Sequence, residues 1–258
     1  MGPENIELVA QLLRAQWRQQ TNREGPDQSP HADQRPDFYF PGLASRPWWK
    51  AEDFSWVSEL EANYDVIKKE LMDLVDQGFL APPPIEQIAP EEQTFDQQLL
   101  TSGAWELYRL YYNGVTIDGN CERCPETTRL FQSIPGFTGT VAFGVAAGGT
   151  HIQPHFGVTN AKLRCHLGLV VPPQCWIRAG KETQTWEEGK CLIFDDSFEH
   201  EVGNESDDPR YILLLDVHHP DMTADETEWI EQTTAMLIQS LPAELRDKYL
   251  TPATPVGK

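Results

Sequence analysis

From about residue 138 to residue 219 the chain is a succession of short runs, most of them apolar. TGTVAFGVAA (138–147), AKLRCHLGLVV (161–171), CWIRAG (175–180), ETQTW (182–186), KCLIFDD (190–196) and YILLLDVHH (211–219) are β-prone and separated by Gly, Pro, Asn or Asp. That spacing predicts many short strands, in a sandwich or a double-stranded β-helix. Elsewhere the period is helical. Val57, Leu60, Tyr64, Ile67 and Leu71 share one side of a helix predicted over Ser55–Gly78. Residues 4–21 predict an amphipathic helix with Ile6, Val9, Leu12, Leu13 and Trp17 on its stripe. Residues 23–36 are a polar, proline-bearing linker, and 81–93 are a loop. AWELYRLYY (104–112) fits a strand or a short helix, and its period leaves both open. After the β region a helix returns over 223–241, with Thr223 as N-cap and Glu226 three residues on, a capping box. A short last helix follows Pro242. The expected fold is mainly β with flanking helices around a double-stranded β-helix (jelly-roll, cupin-like) core. Its parts are a helix and linker over 1–36, one domain over 37–222 with the β core from about 138, and helices over 223–258 packed on that domain.

Composition narrows the setting. With 258 residues, 40% of them hydrophobic, and eight tryptophans, the chain can bury a sizeable core. Forty acids against 20 bases leave a formal charge of −20, which argues against nucleic acid or anionic membrane as the main partner. No apolar run approaches the roughly 20 residues of a membrane span, and the first residues lack a signal-peptide layout. The expectation is a soluble cytoplasmic protein. Five cysteines, an odd and sparse set, do not make a disulfide framework. Cys121-Glu-Arg-Cys124 has no second pair to complete a zinc site and reads as loop thiols, while Cys165 and Cys191 lie in apolar runs and read as small core residues.

The chemistry concentrates around HIQPHFGVTN (151–160). His151 and His155 are spaced as two ligands on a helix, but Pro154 and the upstream Gly148-Gly149 forbid one, so the stretch is extended. His200 closes another run, and Arg210 comes ten residues later at the start of a third. Arg164 and His166 share one face of their strand, because strand side chains alternate. A non-haem iron(II) site in a β-helix needs two imidazoles from different strands, often a carboxylate, and open positions for co-substrate and O2. A dicarboxylate co-substrate adds a need for a buried arginine to grip its far end. His155, His200 and Arg210 supply imidazoles and arginine in that chain order. The carboxylate is missing, because His155-Phe156-Gly157 stands where His-x-Asp is usual.

The sequence closely resembles the aspartyl/asparaginyl β-hydroxylase family of iron(II)- and 2-oxoglutarate-dependent oxygenases. The matching stretches are RPWW (46–49), GTHIQPHFGVTNAKLRCHLGLVVP (149–172), TWEEGKCLIFDDSFEHEV (185–202) and LLLDVHHPDMT (213–223), with weaker similarity over 37–140. The His-x-Gly departure is itself a mark of that family, which ligates iron with two histidines. The resemblance implies iron(II) on His155 and His200, and Arg210 on the distal carboxylate of 2-oxoglutarate. It implies Arg164 and His166 along the co-substrate, with the backbone of Cys165 between them. Tyr111 falls where the family has a tryptophan against the co-substrate, and Gly144 where relatives have a serine touching it. Ala142 replaces a lysine of the animal enzymes, leaving Lys162 as the basic residue near the substrate. Cys121 matches the first cysteine of a family pair, with Thr128 at the second. His151 and His218 are expected at the pocket rim, and His219-Pro220 at the end of the last strand. Hydrogen-bond partners that orient the two histidines are expected in the Asp195/Asp196 region, where Asp195, Asp196 and Glu199 equally fit a turn or a solvated surface.

The expected activity is hydroxylation of an unactivated carbon, with iron(II), 2-oxoglutarate and O2, in a peptide or small-molecule substrate. The carbon expected is the β-carbon of an aspartyl, asparaginyl or related amino-acid unit. Two other readings stand beside it. The open ligand position permits a halogenase on the same two-histidine site, and a catalytically silent jelly roll that binds a ligand would keep the fold without the chemistry.

Overall fold

A computed structural model describes residues 25–255 except 27 and 95. The helix expected over 4–21 lies outside the described residues. The strands, in chain order, are β1 (Trp48–Trp49), β2 (Leu100–Ser102), β3 (Trp105–Tyr112), β4 (Val115–Thr116), β5 (Phe137–Ala146) and β6 (Thr150–His155). Then follow β7 (Lys162–Val170), β8 (Cys175–Ala179), β9 (Glu182–Gln184), β10 (Cys191–Phe194), β11 (His200–Asn204) and β12 (Arg210–His218). They form a seven-stranded sheet, β1-β10-β7-β12-β5-β3-β4, and a five-stranded sheet, β2-β6-β11-β8-β9. Every pairing is antiparallel, and consecutive strands repeatedly fall in opposite sheets, which is jelly-roll topology.

The central strands of the large sheet are buried on both faces, which explains their nearly unbroken apolar sequences. On β12, Leu213, Leu215 and Val217 face one way, into a core shared with helices α1 (Val57–Ala62), α2 (Tyr64–Asp76) and α4 (Pro125–Ser133). A short helix, α3 (Asp118–Cys121), precedes α4. Ile212 and Leu214 face the other way, towards Ile152, Ile177, Ala179 and Val202 of the small sheet. The space between the sheets is where the site lies. AWELYRLYY is a strand, fixed by a long pairing of β3 with β5.

The helix predicted over 55–78 is two helices with a joint at Asn63, whose side chain donates to the Glu59 carbonyl at 2.8 Å. It stops at Gly78, which takes the left-handed φ of 84° that other residues resist. Glu70 of α2 accepts from the backbone of Glu126 and Thr127 at 2.9 Å each, so its carboxylate caps the start of α4. At the other end of the chain the capping box forms in full: Glu226 N–H donates to Thr223 Oγ1 and Thr223 N–H donates to Glu226 Oε2. Helix α5 (Ala224–Ser240) and helix α6 (Ala243–Leu250) then lie across the open end of the β layers. No helix among the described residues is long and apolar enough to cross a membrane. All five cysteines are buried and free.

Leu215 is fully buried between the large sheet and its helices. Leu215→Ala is expected to cost ~2–5 kcal/mol, read from the denaturant midpoint. A loss below 1 kcal/mol would mean that this layer does not hold the sheet.

Candidate active site

The extended segment of the two histidines resolves into a strand with one extra residue. In the β6–β11 pairing His155 faces His200 and Ile152 faces Val202, so Gln153 and Pro154 together oppose Glu201. Such a bulge tolerates proline, because the extra residue needs no ladder hydrogen bond. It also reverses the alternation of side chains. His151 points to the outer surface of the small sheet, beside Glu201 at 3.3 Å and Thr101 at 2.8 Å. His155 points inward, its ring centroid 4.0 Å from that of His200.

Both imidazoles are held in the same way. Nδ1 of His155 bonds the Gln153 carbonyl at 2.8 Å, and Nδ1 of His200 bonds the Phe198 carbonyl at 2.9 Å. A carbonyl can only accept, so each Nδ1 carries the proton and each Nε2 keeps its lone pair for a metal. The supporting groups are main-chain carbonyls two residues upstream, not the carboxylates of Asp195, Asp196 or Glu199. Burial lowers the pKa of both rings, that of His200 well below the ordinary value. Neutral imidazoles of this kind suit iron, zinc, copper or nickel. No three His, Cys, Asp or Glu side chains converge among the described residues, so the donor set stops at two.

The absent carboxylate has a spatial answer. A Cβ on Gly157 would meet Cγ and Oδ1 of Asp196 at 2.5 Å, and the Gly157 N–H donates to the Asp196 carbonyl at 2.6 Å. Glycine is needed because Asp196 already fills that space. Its Oδ2 accepts from Lys162 at 2.8 Å and lies 3.2 Å from Arg164, while Oδ1 is buried without a partner. Burial by itself would raise the Asp196 carboxyl, but Lys162 and Arg164 outweigh it and hold the group ionised well below the usual range. Arg164 also forks onto Asp216, at 2.8 and 3.1 Å. Asp195 belongs to the scaffold: it accepts from Gln34 and Ser197, and burial pushes its carboxyl up to about 7.

Deeper between the sheets the pattern is the opposite, donors without acceptors. Arg210 is 2% exposed, and no carboxylate pairs with it among the described residues. Burial lowers its pKa to about 10, which leaves it charged at neutral pH. Its Nε, both ring nitrogens of His166 and Nε1 of Trp186 are all buried without partners. They are neighbours: the guanidinium lies 4.7 Å from the centre of the Trp186 ring, and His166 stacks on the same indole at 6.0 Å. An unpaired buried cation ringed by orphaned polar atoms is costly unless an anion binds there. The residues present therefore fit both a metal on the two imidazoles and a carboxylate below it. Trp186 escaped the sequence reading. It sits in a short polar stretch between two strands and has no signature beyond its type.

The other expected residues divide. Gly144 is on the inner face, where a Cβ would come 3.2 Å from Leu107. Cys165 turns its thiol into the helix-side core and leaves only its backbone between Arg164 and His166. Tyr111 is not placed at the co-substrate position. Leu110 is an extra residue in the β3–β5 pairing, so Tyr111 turns outward onto Phe131 and Phe137, and Arg109 and Tyr112 face the cavity instead. His151 lies outside the cavity, and His218 lies in its wall, bonded to Glu231 at 3.0 Å. His219 is buried scaffold, bonded to the Ala44 carbonyl at 2.9 Å. The cavity is about 330 Å³ and opens outward from the imidazole pair between strands and α5.

Two inward-facing imidazoles in a jelly roll, with a buried cation below, could hold a metal and an anion side by side. The aspartyl/asparaginyl beta-hydroxylase family profile matches residues 61–220, and the chain belongs to that family. The human aspartyl/asparaginyl beta-hydroxylase is 37% identical over 195 residues, which cover 72% of this chain and 24% of that protein. Human aspartate beta-hydroxylase domain-containing protein 2 is 34% identical over 208 residues, 77% of this chain and 54% of that protein. The ornithine lipid ester-linked acyl 2-hydroxylase of Rhizobium tropici is 36% identical over 182 residues, 69% of this chain and 62% of that protein. The chain thus spans about a quarter of the human hydroxylase it matches. A cupin barrel from Salinispora arenicola aligns over 36% of this chain and 71% of its own, at 11% identity and a TM-score of 0.27.

Two outcomes follow. An ordinary histidine is half protonated near pH 6.5. Because burial lowers both ligand histidines below that, Zn(II) affinity should stay level from pH 8 to about 6.5 and fall only in more acid solution. By the same linkage the unfolded chain takes up these protons first, so metal-free stability falls as pH drops below about 6.5 and is regained above it. Calorimetric titration across pH checks the first, and an affinity already declining between pH 8 and 7 would contradict it. Separately, Gly157→Ala forces a methyl group into the Asp196 carboxylate and should destabilise the fold by ~1–3 kcal/mol, read as a lowered thermal midpoint.

Proposed function

We propose that this chain is an iron(II)- and 2-oxoglutarate-dependent oxygenase that hydroxylates an unactivated carbon, in an amino-acid unit or a related group of a peptide or small molecule. The observation that carries the reading is the floor of the barrel. Arg210, His166 and Trp186 gather a buried cation and unpartnered nitrogens close to two metal-ready imidazoles. A dicarboxylate that chelates a metal at one end needs this at the other.

His155 and His200 would hold the iron, and Arg210 the distal carboxylate, with His166 beside it. When bound, iron(II) and 2-oxoglutarate supply the activation of O2 that an unreactive C–H bond requires. The chain's own work is positional. Main-chain carbonyls fix the tautomer of both ligands. The apolar wall of Ile152, Phe194 and Leu214 keeps bulk water from the co-substrate and strengthens the Arg210 contact. Asp196, ionised and turned towards the place beside Gly157, can accept from a water there. The same negative charge disfavours a halide at that place, so the halogenase reading gains no support. A silent binding protein would have no physical use for an unpaired buried arginine below two tautomer-locked imidazoles.

Anaerobic addition of Fe(II) and 2-oxoglutarate should produce the visible charge-transfer band of the chelate. His155→Ala or His200→Ala should abolish it without unfolding the chain. Arg210→Ala should instead weaken 2-oxoglutarate by ~2–5 kcal/mol while leaving metal binding in place. A folded, metal-loaded protein that gives no band with saturating 2-oxoglutarate would sink the proposal.

A further inference from the structure

The charges of the cavity cancel. Its lining holds three cations, Arg109, Lys162 and Arg164, and three carboxylates, Asp96, Asp196 and Asp216. Each cation is already engaged. Arg109 pairs with Asp96, and Lys162 reaches Asp196 at 2.8 Å and Asp216 at 3.1 Å. Arg164 forks onto Asp216 and touches Asp196. His218, the other basic group of the outer wall, is tied to Glu231 of α5. Arg109 is held further by stacking, its guanidinium 5.1 Å from the ring centre of Tyr249 and 5.7 Å from that of Tyr112. A substrate carboxylate entering here would have to break one of these pairs or stay unpaired, and both are costly in a partly dry site.

Large apolar side chains make up most of the remaining wall, beside Asn113 and threonines such as Thr138, Thr140 and Thr233. Phe40, Trp105, Leu107, Leu214, Trp229 and Ile230 face the cavity. Three large apolar side chains are strongly exposed among the described residues: Val158 at 49%, Met236 at 63% and Leu237 at 38%. Val158 and Leu237 line this same mouth, and Met236 precedes Leu237 on α5. Solvent-exposed apolar groups gathered at the opening of an apolar, charge-balanced cavity mark what the cavity accepts.

We infer that the substrate unit brought to the metal is uncharged and hydrocarbon-rich, an apolar side chain or an acyl chain rather than an aspartyl carboxylate. This rests on the oxygenase reading and narrows it. Lys162, the basic residue expected near the substrate, serves instead to fix Asp196 and Asp216.

The test uses four neutral-backbone probes: N-acetyl-leucinamide, N-octanoyl-glycinamide, N-acetyl-aspartic acid α-amide and N-acetyl-asparaginamide. Binding is read first in the metal-free chain, by the fluorescence of its tryptophans, of which Trp105 and Trp229 line the cavity. The better of the two apolar probes should bind at least about tenfold more tightly than either polar one, with little dependence on salt. Leu237→Glu should weaken it about fivefold or more. The protein loaded with Fe(II) and 2-oxoglutarate is then exposed to O2, and succinate is measured. The better apolar probe should stimulate its formation, and the leucyl and octanoyl arms separate a side chain from an acyl chain as the source. Tighter binding or stronger stimulation by the aspartyl or asparaginyl probe would overturn the inference. So would a protein that shows the charge-transfer band yet binds neither apolar probe. Absence of the band is the separate failure of the oxygenase reading.

Discussion

Gln153 and Pro154 stand opposite Glu201 alone, and the turn of the strand that follows sets the rest of the site. With regular alternation His151 and His155 would share a face. The extra residue sends His151 out to Glu201 and brings His155 ring to ring with His200, across the small sheet from Arg210 on the large one. Proline belongs at such a place, since it cannot donate to a ladder and the bulge asks for no donor. One covalent restraint therefore positions an imidazole that sits at the end of a strand, where fraying would otherwise be expected.

Around that pair the protein treats charge in two ways. On the outer side every cation has its carboxylate, and Lys162, Arg164, Asp196 and Asp216 form a neutral, cross-linked group that ties β7, the turn after β10 and β12 together. On the inner side Arg210 is left without one. Burying an unpaired guanidinium costs stability, and the barrel bears that cost at Arg210. The outer group is satisfied within the chain, and the inner one leaves Arg210, His166 and Trp186 with buried atoms still to be satisfied.

Much of this was legible in the chain. Apolar runs between turn residues gave the β core, and the capping box at Thr223 gave α5 to the residue. The even spacing of Arg164 and His166 put both between the sheets, Arg164 in the cavity wall and His166 against Trp186 and Phe194. The resemblance to a known family supplied the pairing of His155 with His200 and the importance of Arg210. The misplaced residues share one cause. His151 and Tyr111 each sit next to a bulge, where an added residue turns an inward expectation outward. No pattern of apolar and polar residues announces which strand carries the extra one. The small strand β11, whose sequence HEVGN is too polar to stand out, was missed, as were helices α3 and α4. Asp196 as the occupant of the space at Gly157 depends on a contact between residues far apart in sequence and could not be seen in either stretch.

The wall that faces the substrate is partly built from a separate piece of chain. Trp229, Ile230 and Leu237 of α5 and Tyr249 of α6 all come after the last strand, joined to the barrel by the few residues following His219. Part of the cavity wall is therefore carried by a segment separate from the one that holds the imidazole pair and Arg210. Exchanging the tail beyond Met222 between relatives would be a natural crossover, in evolution or in the laboratory: a single junction replaces one side of the cavity and leaves His155, His200 and Arg210 in place.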